Sequence, residues 1–242
     1  MHSPGGLKST LRFIEIIAMW NRPPPPGFQG LRDDLPLTQY QLHLPHWRQA
    51  GATYFVTFRL HDSLPQSKLR ELREFKAEWE RRNPPSVPTS AQQDLAREVM
   101  RRVEAWLDQG MGSCILRRRA VSALIEEALK AGDGSKHELG CYVVMPNHVH
   151  AIVRPIELAE RALEAILQAW KGGSARAINE LMKRSGTLWQ RESFDRIIRD
   201  EEHLHRVIQY IGRNSKQAKL PADAVRLWIR SDWAECGWDF EP

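Results

Sequence analysis

One stretch, residues 142–154, limits the fold of this chain more than any other part of the sequence. Residues 143–145 are apolar, a Pro-Asn pair follows, and apolar residues then alternate with polar or larger ones. The pattern predicts two strands joined by a tight turn. Because side chains alternate between the two faces of a strand, His148 and His150 should point the same way. Two imidazoles side by side on a rigid strand can supply half of a metal site.

A second pair of histidines has the same spacing and allows an internal comparison. His203 and His205 lie in a segment whose apolar residues recur at helical spacing, namely Leu204, Val207, Ile208 and Ile211. Residues two apart sit about 200° apart around a helix axis, so this pair is poorly placed to bind one ion together. Only the strand pair is therefore a candidate metal site.

Length and charge set broad limits on the protein. The 242 residues fit one domain, alone or with additions, and 42% of them are apolar, which is enough for a core. The formal net charge is +5, and residues 68–119 hold twelve Lys or Arg against eight Asp or Glu. This modest basic excess permits a nucleic-acid partner and does not establish one.

The cysteines and the apolar runs indicate the compartment. Cys114, Cys141 and Cys236 are odd in number and widely spaced, which fits a reducing, intracellular environment. No apolar run approaches the length of a membrane span. The apolar segment at residues 13–20 is short and contains Glu15, so we expect neither a signal peptide nor a membrane partner.

Composition and periodicity divide the chain into three parts. Residues 1–30 contain a run of four prolines flanked by glycines and are expected to be a disordered N-terminal tail. Residues 31–220 hold the regular patterns of one domain. Residues 221–242 contain three Trp without a clear period, and no structure is predicted for them.

The regular patterns within the domain predict an α+β fold. Strands are predicted at 52–60, 137–145, 148–154 and 187–199, and helices near 69–79, 95–107, 121–129, 158–182 and 201–218. The Gly172-Gly173 pair marks a point where the fourth helix could break. The order is that of a ferredoxin-like split βαβ fold with an antiparallel sheet. Extra helices are inserted in its first crossover, and a C-terminal helix is appended.

The appended helix carries a polar face beside its apolar stripe. Residues three or four apart share a helix face, which groups His203, Arg206, Tyr210 and Asn214. A helix docked by its apolar stripe would hold Tyr210 and Asn214 at the edge of the sheet, near the strand histidines. Two imidazoles and an amide oxygen suit Mg or Mn better than a closed zinc site. Tyrosine can act as a covalent nucleophile, but its pKa of about 10 requires help from the metal or from Arg206.

Taken together, these residues resemble a known family. Met145-Pro146-Asn147-His148-Val149-His150, followed by Tyr210 and Asn214 on a late helix, resembles the HUH single-tyrosine transposases. The resemblance is closer to the REP-associated tyrosine transposases, which are relatives of insertion-sequence transposases. It spans about residues 43–220, with supporting segments at 54–60, 189–196 and 198–202.

The resemblance implies a function and assigns roles to residues. The implied enzyme cuts and joins single-stranded DNA, often next to hairpins of palindromic repeats, through a 5′-phosphotyrosine intermediate. Tyr210 would be the nucleophile, and His148, His150 and Asn214 would bind a divalent metal, Mg or Mn. Further residues expected to contact DNA or support the site are Arg206, His203 and Arg154. The implied location is the bacterial cytoplasm, in association with the nucleoid, and a homodimer is compatible with it.

The chain departs from the pattern of this family in two ways, and two alternative functions remain. The family usually has Asn-Pro one turn after the tyrosine, whereas this chain has Asn214-Ser215, and the insertion between Phe75 and Lys136 is long. One alternative is a domesticated protein that binds DNA hairpins without cutting them. The other is a metal-dependent hydrolase that uses activated water, for which Glu192 or Asp195 could supply the carboxylate near the histidines.

Overall fold

The computed structural model describes residues 22–42, 45–83, 89–159 and 161–241. The strands in chain order are β1 Thr38–Gln41, β2 Pro45–Arg48, β3 Tyr54–Arg59, β4 His137–Val144, β5 His148–Pro155, β6 Phe194–Ile197 and β7 Arg226–Ile229. The helices are α1 Gln66–Arg82, α2 Thr89–Leu107, α3 Arg119–Lys130, α4 Ala162–Leu181, α5 Glu201–Gln217 and α6 Ser231–Glu235. Within these residues, no helix has both the length and the apolar character needed to cross a membrane.

Five strands form the central sheet, in the order β6-β3-β5-β4-β7, with every neighbouring pair antiparallel. The strands β1 and β2 form a separate two-stranded ribbon. The predicted hairpin of residues 142–154 joins β4 to β5, and its turn is closed by a 2.9 Å hydrogen bond from Met145 N to His148 O. The prediction of an α+β fold built on an antiparallel sheet is confirmed.

Both faces of the sheet are buried, because its central strands carry apolar residues on each side. Val56 and Ala151 lie in a core that includes the inner faces of α3 and α4. Phe55 and Ile152 lie in a second core with α5 and the segment around α6. The helix that covers this second face, α5, carries Tyr210.

The helix α5 begins and docks as its sequence predicts. The Asp200 side chain accepts a 2.7 Å hydrogen bond from His203 N, which satisfies a backbone donor of the first turn, and two glutamates follow it. Its apolar stripe is fully buried against the sheet, through Leu204, Val207, Ile208 and Ile211. Burial of four such side chains fixes the rotation of the helix and thereby the direction of its polar face.

Three features differ from the predicted elements. The β1–β2 ribbon was not predicted. The last predicted strand is regular only at Phe194–Ile197, and Trp189 pairs with Leu60 in an isolated bridge. The glycine pair does not break α4, because Trp170 and Ser174 on either side of the pair are buried. Packing of this helix outweighs a glycine cost of about 1 kcal/mol per residue.

The two ends of the described chain pack together. Residues 1–21 of the expected tail lie outside the described residues. Residues 22–30 are held in place, since Trp238 Nε1 donates a 2.9 Å hydrogen bond to Pro23 O and Trp233 Nε1 donates one of 2.9 Å to Pro26 O. The C-terminal part, for which no structure was predicted, supplies the edge strand β7 and the helix α6. Trp233 and Trp238 therefore anchor the proline run.

Candidate functional site

The two strand histidines lie side by side at the start of β5. His148 and His150 are both almost completely buried, and their Nε2 atoms are 3.0 Å apart. The outer nitrogens have partners: His148 Nδ1 lies 2.8 Å from Asn147 Oδ1, and His150 Nδ1 lies 2.7 Å from Thr57 Oγ1. These contacts fix both rings, so that the two Nε2 atoms converge on one point.

The hydrogen bonds also define the state of the His148 ring. Asn147 Nδ2 donates to Leu107 O and Met111 O, both at 3.1 Å, so its Oδ1 faces His148 and can only accept. His148 therefore donates from Nδ1 and keeps a lone pair on Nε2. Burial lowers the pKa of His148 to about 3 and that of His150 well below its ordinary value. Both rings are thus neutral at pH 7, as metal ligation requires.

Asn214 completes a set of three donors. It is buried one turn beyond Tyr210 on α5, and its Nδ2 donates a 3.2 Å hydrogen bond to Tyr210 O. Its side chain faces His148 and the Tyr210 hydroxyl. Within the described residues its Oδ1 is buried and accepts no hydrogen bond. An unsatisfied amide oxygen beside two neutral imidazoles is an environment that a cation would satisfy.

The three donors fit a divalent metal in type, and the two imidazoles also fit it in spacing. Two ligands about 2.1 Å from one ion and at right angles to each other are about 3.0 Å apart, which matches the spacing of the two Nε2 atoms. In the part of the chain that the structure describes, no group of three or more His, Cys, Asp or Glu side chains is arranged to hold a metal. Any metal at this point would therefore rely on the Asn214 amide as its third protein ligand.

Tyr210 lies directly against this donor set. Its hydroxyl is 3.3 Å from His150 Nε2, and its ring packs edge-on against Phe55, with centroids 5.9 Å apart. Burial, followed by the nearby charge of Glu104, raises the pKa of Tyr210 above its usual value. The hydroxyl is therefore protonated at neutral pH and needs a proton acceptor to become a nucleophile.

Glu104 is the residue of the site that the sequence analysis missed. It comes from α2, inside the long insertion, and its carboxylate interacts with the Tyr210 hydroxyl and with Arg196. Burial raises the pKa of Glu104 to about 7. Glu104 comes three residues before Leu107 and four residues after Met100, and both of these are buried. This spacing indicates that Glu104 is on the inward face of α2. That spacing was the only sequence signal, because the contact with Tyr210 depends on how α2 packs.

The two carboxylates considered for a hydrolase are engaged elsewhere. Asp195 Oδ2 lies 2.7 Å from His46 Nδ1, and its Oδ1 accepts a 2.5 Å hydrogen bond from Arg48. Glu192 lies 3.1 Å from His46 Nε2. Strand alternation explains this, since Asp195 points to the opposite face of β6 from Phe194, which packs against Phe55. The carboxylate that interacts with Tyr210 is instead that of Glu104.

The remaining predicted residues lie either beside Tyr210 or far from it. His203 and Arg206 line the cavity beside Tyr210. His203 is buried and accepts a hydrogen bond from Arg199 N, whereas Arg206 is exposed and ion-paired with Glu202 at 2.5 Å. Arg154 is at the other end of β5, roughly 20 Å from His148 by strand rise, where Glu138 holds it at 2.6 Å. The fold therefore brings six of the seven predicted residues together with Glu104 and leaves Arg154 apart.

Comparisons with known proteins find matches among solved structures only. No protein-family model matches the chain. No curated protein matches it. Among solved structures it is similar to a REP-associated tyrosine transposase bound to a REP hairpin, with 16% sequence identity and a TM-score of 0.40. The match covers 74% of this chain and 73% of the other. At these values the likeness does not establish a shared family.

Proposed function

We propose that this protein cuts and rejoins single-stranded DNA, with Tyr210 as nucleophile and a divalent metal, Mg or Mn, on His148, His150 and Asn214. The observation that carries the proposal is the position of the Tyr210 hydroxyl, 3.3 Å from His150 Nε2 and beside the unsatisfied Oδ1 of Asn214. One buried place thus contains a nucleophile, two neutral imidazoles and an unsatisfied oxygen. These are the components of a metal-assisted phosphoryl transfer.

The fold assignment forms part of the proposal. The order β6-β3-β5-β4, with helices in both crossovers, supports a ferredoxin-like split βαβ domain that spans residues 31–220. The helices α1 to α3 then lie in the first crossover, and α5 is the appended helix that carries the tyrosine. In this reading β7 extends the edge of the sheet and is not part of the basic domain.

The reaction can be written with the residues of the site. A divalent metal would polarise the scissile phosphate when bound. Tyr210 Oη attacks phosphorus while its proton passes to the Glu104 carboxylate, and the bond from phosphorus to the 3′-oxygen breaks. The products are a 5′-phosphotyrosine and a 3′-hydroxyl, which takes its proton from water. Arg196 lies over the Phe55 ring, 5.4 Å from its centroid, and faces Glu104, so its positive charge favours the ionised carboxylate.

The proposed substrate is a hairpin with single-stranded flanks. The basic excess of the chain is consistent with a phosphate backbone, and binding should weaken as salt rises because counterions are released. The resemblance of the His-hydrophobic-His segment and of the late tyrosine to the HUH single-tyrosine transposases motivates the choice of hairpin DNA. A DNA substrate of this kind would place the protein with the nucleoid in a bacterial cytoplasm.

One alternative gains support from a specific contact. Glu104, which interacts with Tyr210, could activate water, and the protein would then be a metal-dependent hydrolase. In that case the tyrosine hydroxyl is dispensable. A protein that only binds hairpins would instead tolerate the loss of both Glu104 and Tyr210.

The test uses a hairpin oligonucleotide with flanks labelled at each end, incubated with Mg or Mn. For wild-type protein we expect one labelled fragment to become attached to the protein and the other to be released with a free 3′-hydroxyl. Tyr210→Phe should bind the DNA equally well and yield neither product. Cleavage by this variant would indicate the hydrolase, and binding without cleavage by wild-type protein would indicate the non-cutting binder.

A further inference from the structure

A groove of about 550 Å³ opens beside Tyr210, and one of its walls is the inserted helix α2. The α2 residues on this wall lie on one helical face, because they recur at intervals of three or four: Ala96, Arg97, Met100, Arg101 and Glu104. The opposite wall consists of β6, the residues that follow it, and α5. The long insertion therefore contributes directly to the surroundings of the tyrosine.

Both walls of the groove carry arginines. The arginines that line it are Arg97 and Arg101 on α2, and Arg196, Arg199 and Arg206 on the opposite wall. Two acidic residues also line it, Glu104 and Asp195, and the Asp195 carboxylate is bound to Arg48. Positive charge is in excess along the groove, which favours a polyanionic ligand.

The groove also contains aromatic side chains between the two rows of charge. Trp47 and Phe194 line it and are half-buried, so that part of each ring is accessible. Aromatic faces stack on bases that are not paired, whereas the bases of a duplex are already stacked inside the helix. Cationic walls with accessible rings between them thus favour a single strand over a duplex.

The ion pairs that now engage the α2 arginines are weak. Arg97 is paired with Asp94, and Arg101 is paired with Glu98 at 2.7 Å. Both pairs lie on the exposed side of α2. Exposed pairs of this type contribute little to stability, because water and salt screen the charges and both side chains lose conformational freedom. A phosphate group can replace such a carboxylate at little cost.

We propose that the inserted helix α2 forms one wall of the DNA-binding groove, with Arg97 and Arg101 binding phosphates of the single strand whose scissile phosphate is delivered to Tyr210. This inference rests on the proposed function for the identity of the ligand. It assigns the insertion a role in substrate binding, in addition to the contact that Glu104 makes with the tyrosine.

The test measures the affinity of a fluorescent single-stranded oligonucleotide by anisotropy at several salt concentrations. The Arg97→Gln/Arg101→Gln double variant is compared with Arg176→Gln, which changes an exposed arginine on α4 across the sheet. We expect the double variant to lose about tenfold in affinity and its slope of log K against log salt to be smaller by about 1.4, since each phosphate contact contributes about 0.7 for a single strand. The control should match wild type, and a duplex of the same sequence should compete weakly.

The outcomes separate this inference from the proposed function. If the double variant binds like the control while wild-type protein forms the tyrosine adduct, α2 is not a wall of the binding groove. If the double variant loses affinity as expected but no adduct forms with wild-type protein, the groove stands and the cutting reaction is wrong. Absence of any single-strand binding by wild-type protein overturns both.

Discussion

The hydroxyl of Tyr210 and Nε2 of His150 lie 3.3 Å apart, although sixty positions separate the two residues in the chain. The contact joins a residue of the central strand β5 to one on the helix that covers the sheet. It exists because the strand period directs His150 towards α5, and because the apolar stripe of α5 fixes the rotation of Tyr210.

Replacement of a strand histidine should remove activity without unfolding the protein. We expect His148→Ala or His150→Ala to lose divalent-metal binding and DNA cleavage, since each change deletes one converging Nε2. The matched control is His205→Ala, because His205 lies 3.3 Å from Glu241 and outside the site. Metal titration by calorimetry and a cleavage assay check this. Cleavage that resists a chelator would contradict the metal assignment.

Replacement of Asn214 should separate stability from activity. Asn214→Leu removes a buried oxygen that forms no hydrogen bond within the described residues, and leaving such a group unsatisfied costs about 1–3 kcal/mol. We therefore expect the free energy of unfolding to stay the same or to rise, while metal affinity and cleavage are lost. Urea denaturation and metal titration measure the two effects. A variant that keeps full metal affinity would exclude Asn214 as a ligand.

Neutralising Glu104 should slow cleavage more than it affects binding. Glu104→Gln keeps the shape of the side chain but cannot accept the proton of Tyr210, and loss of a general base typically costs about 10²–10⁴ in rate. The matched control is Glu127→Gln, which neutralises an exposed carboxylate on α3, across the sheet from Tyr210. Single-turnover cleavage and DNA affinity are the measurements. A wild-type rate in Glu104→Gln would assign the proton to another acceptor.

His46 should make stability depend on pH above neutrality. Burial opposes its charged form, but hydrogen bonds to Asp195 and Glu192 prevail and raise the pKa of His46 to about 9. Because this value exceeds the unfolded pKa of 6.5, the stabilising contribution is complete below pH 6.5 and is lost as pH rises through 9. We expect the difference in unfolding free energy between wild type and His46→Gln to shrink between pH 6 and pH 10. A constant difference would mean that His46 is neutral in the folded protein.

Periodicity predicted the parts of the site that depend on a single element. The shared direction of His148 and His150 follows from strand alternation, and the alignment of Tyr210 with Asn214 follows from helical spacing. Glu104 could not be placed in this way, because its approach to the tyrosine depends on how two inserted helices pack. The β1–β2 ribbon was missed for a similar reason. Its sequence is polar, and it is held to β6 by the charged contacts of Arg48 and His46 with Asp195.

The most direct test of the account is to locate the covalent bond on the protein. Wild-type protein is incubated with a hairpin oligonucleotide with single-stranded flanks and Mg or Mn, denatured, and digested with protease and nuclease. Mass spectrometry of the peptides should then find a nucleotide on Tyr210, on none of the other three tyrosines, and on no peptide of Tyr210→Phe. An oligonucleotide cut at a wild-type rate by Tyr210→Phe, with no modified peptide in either protein, would contradict the tyrosine mechanism.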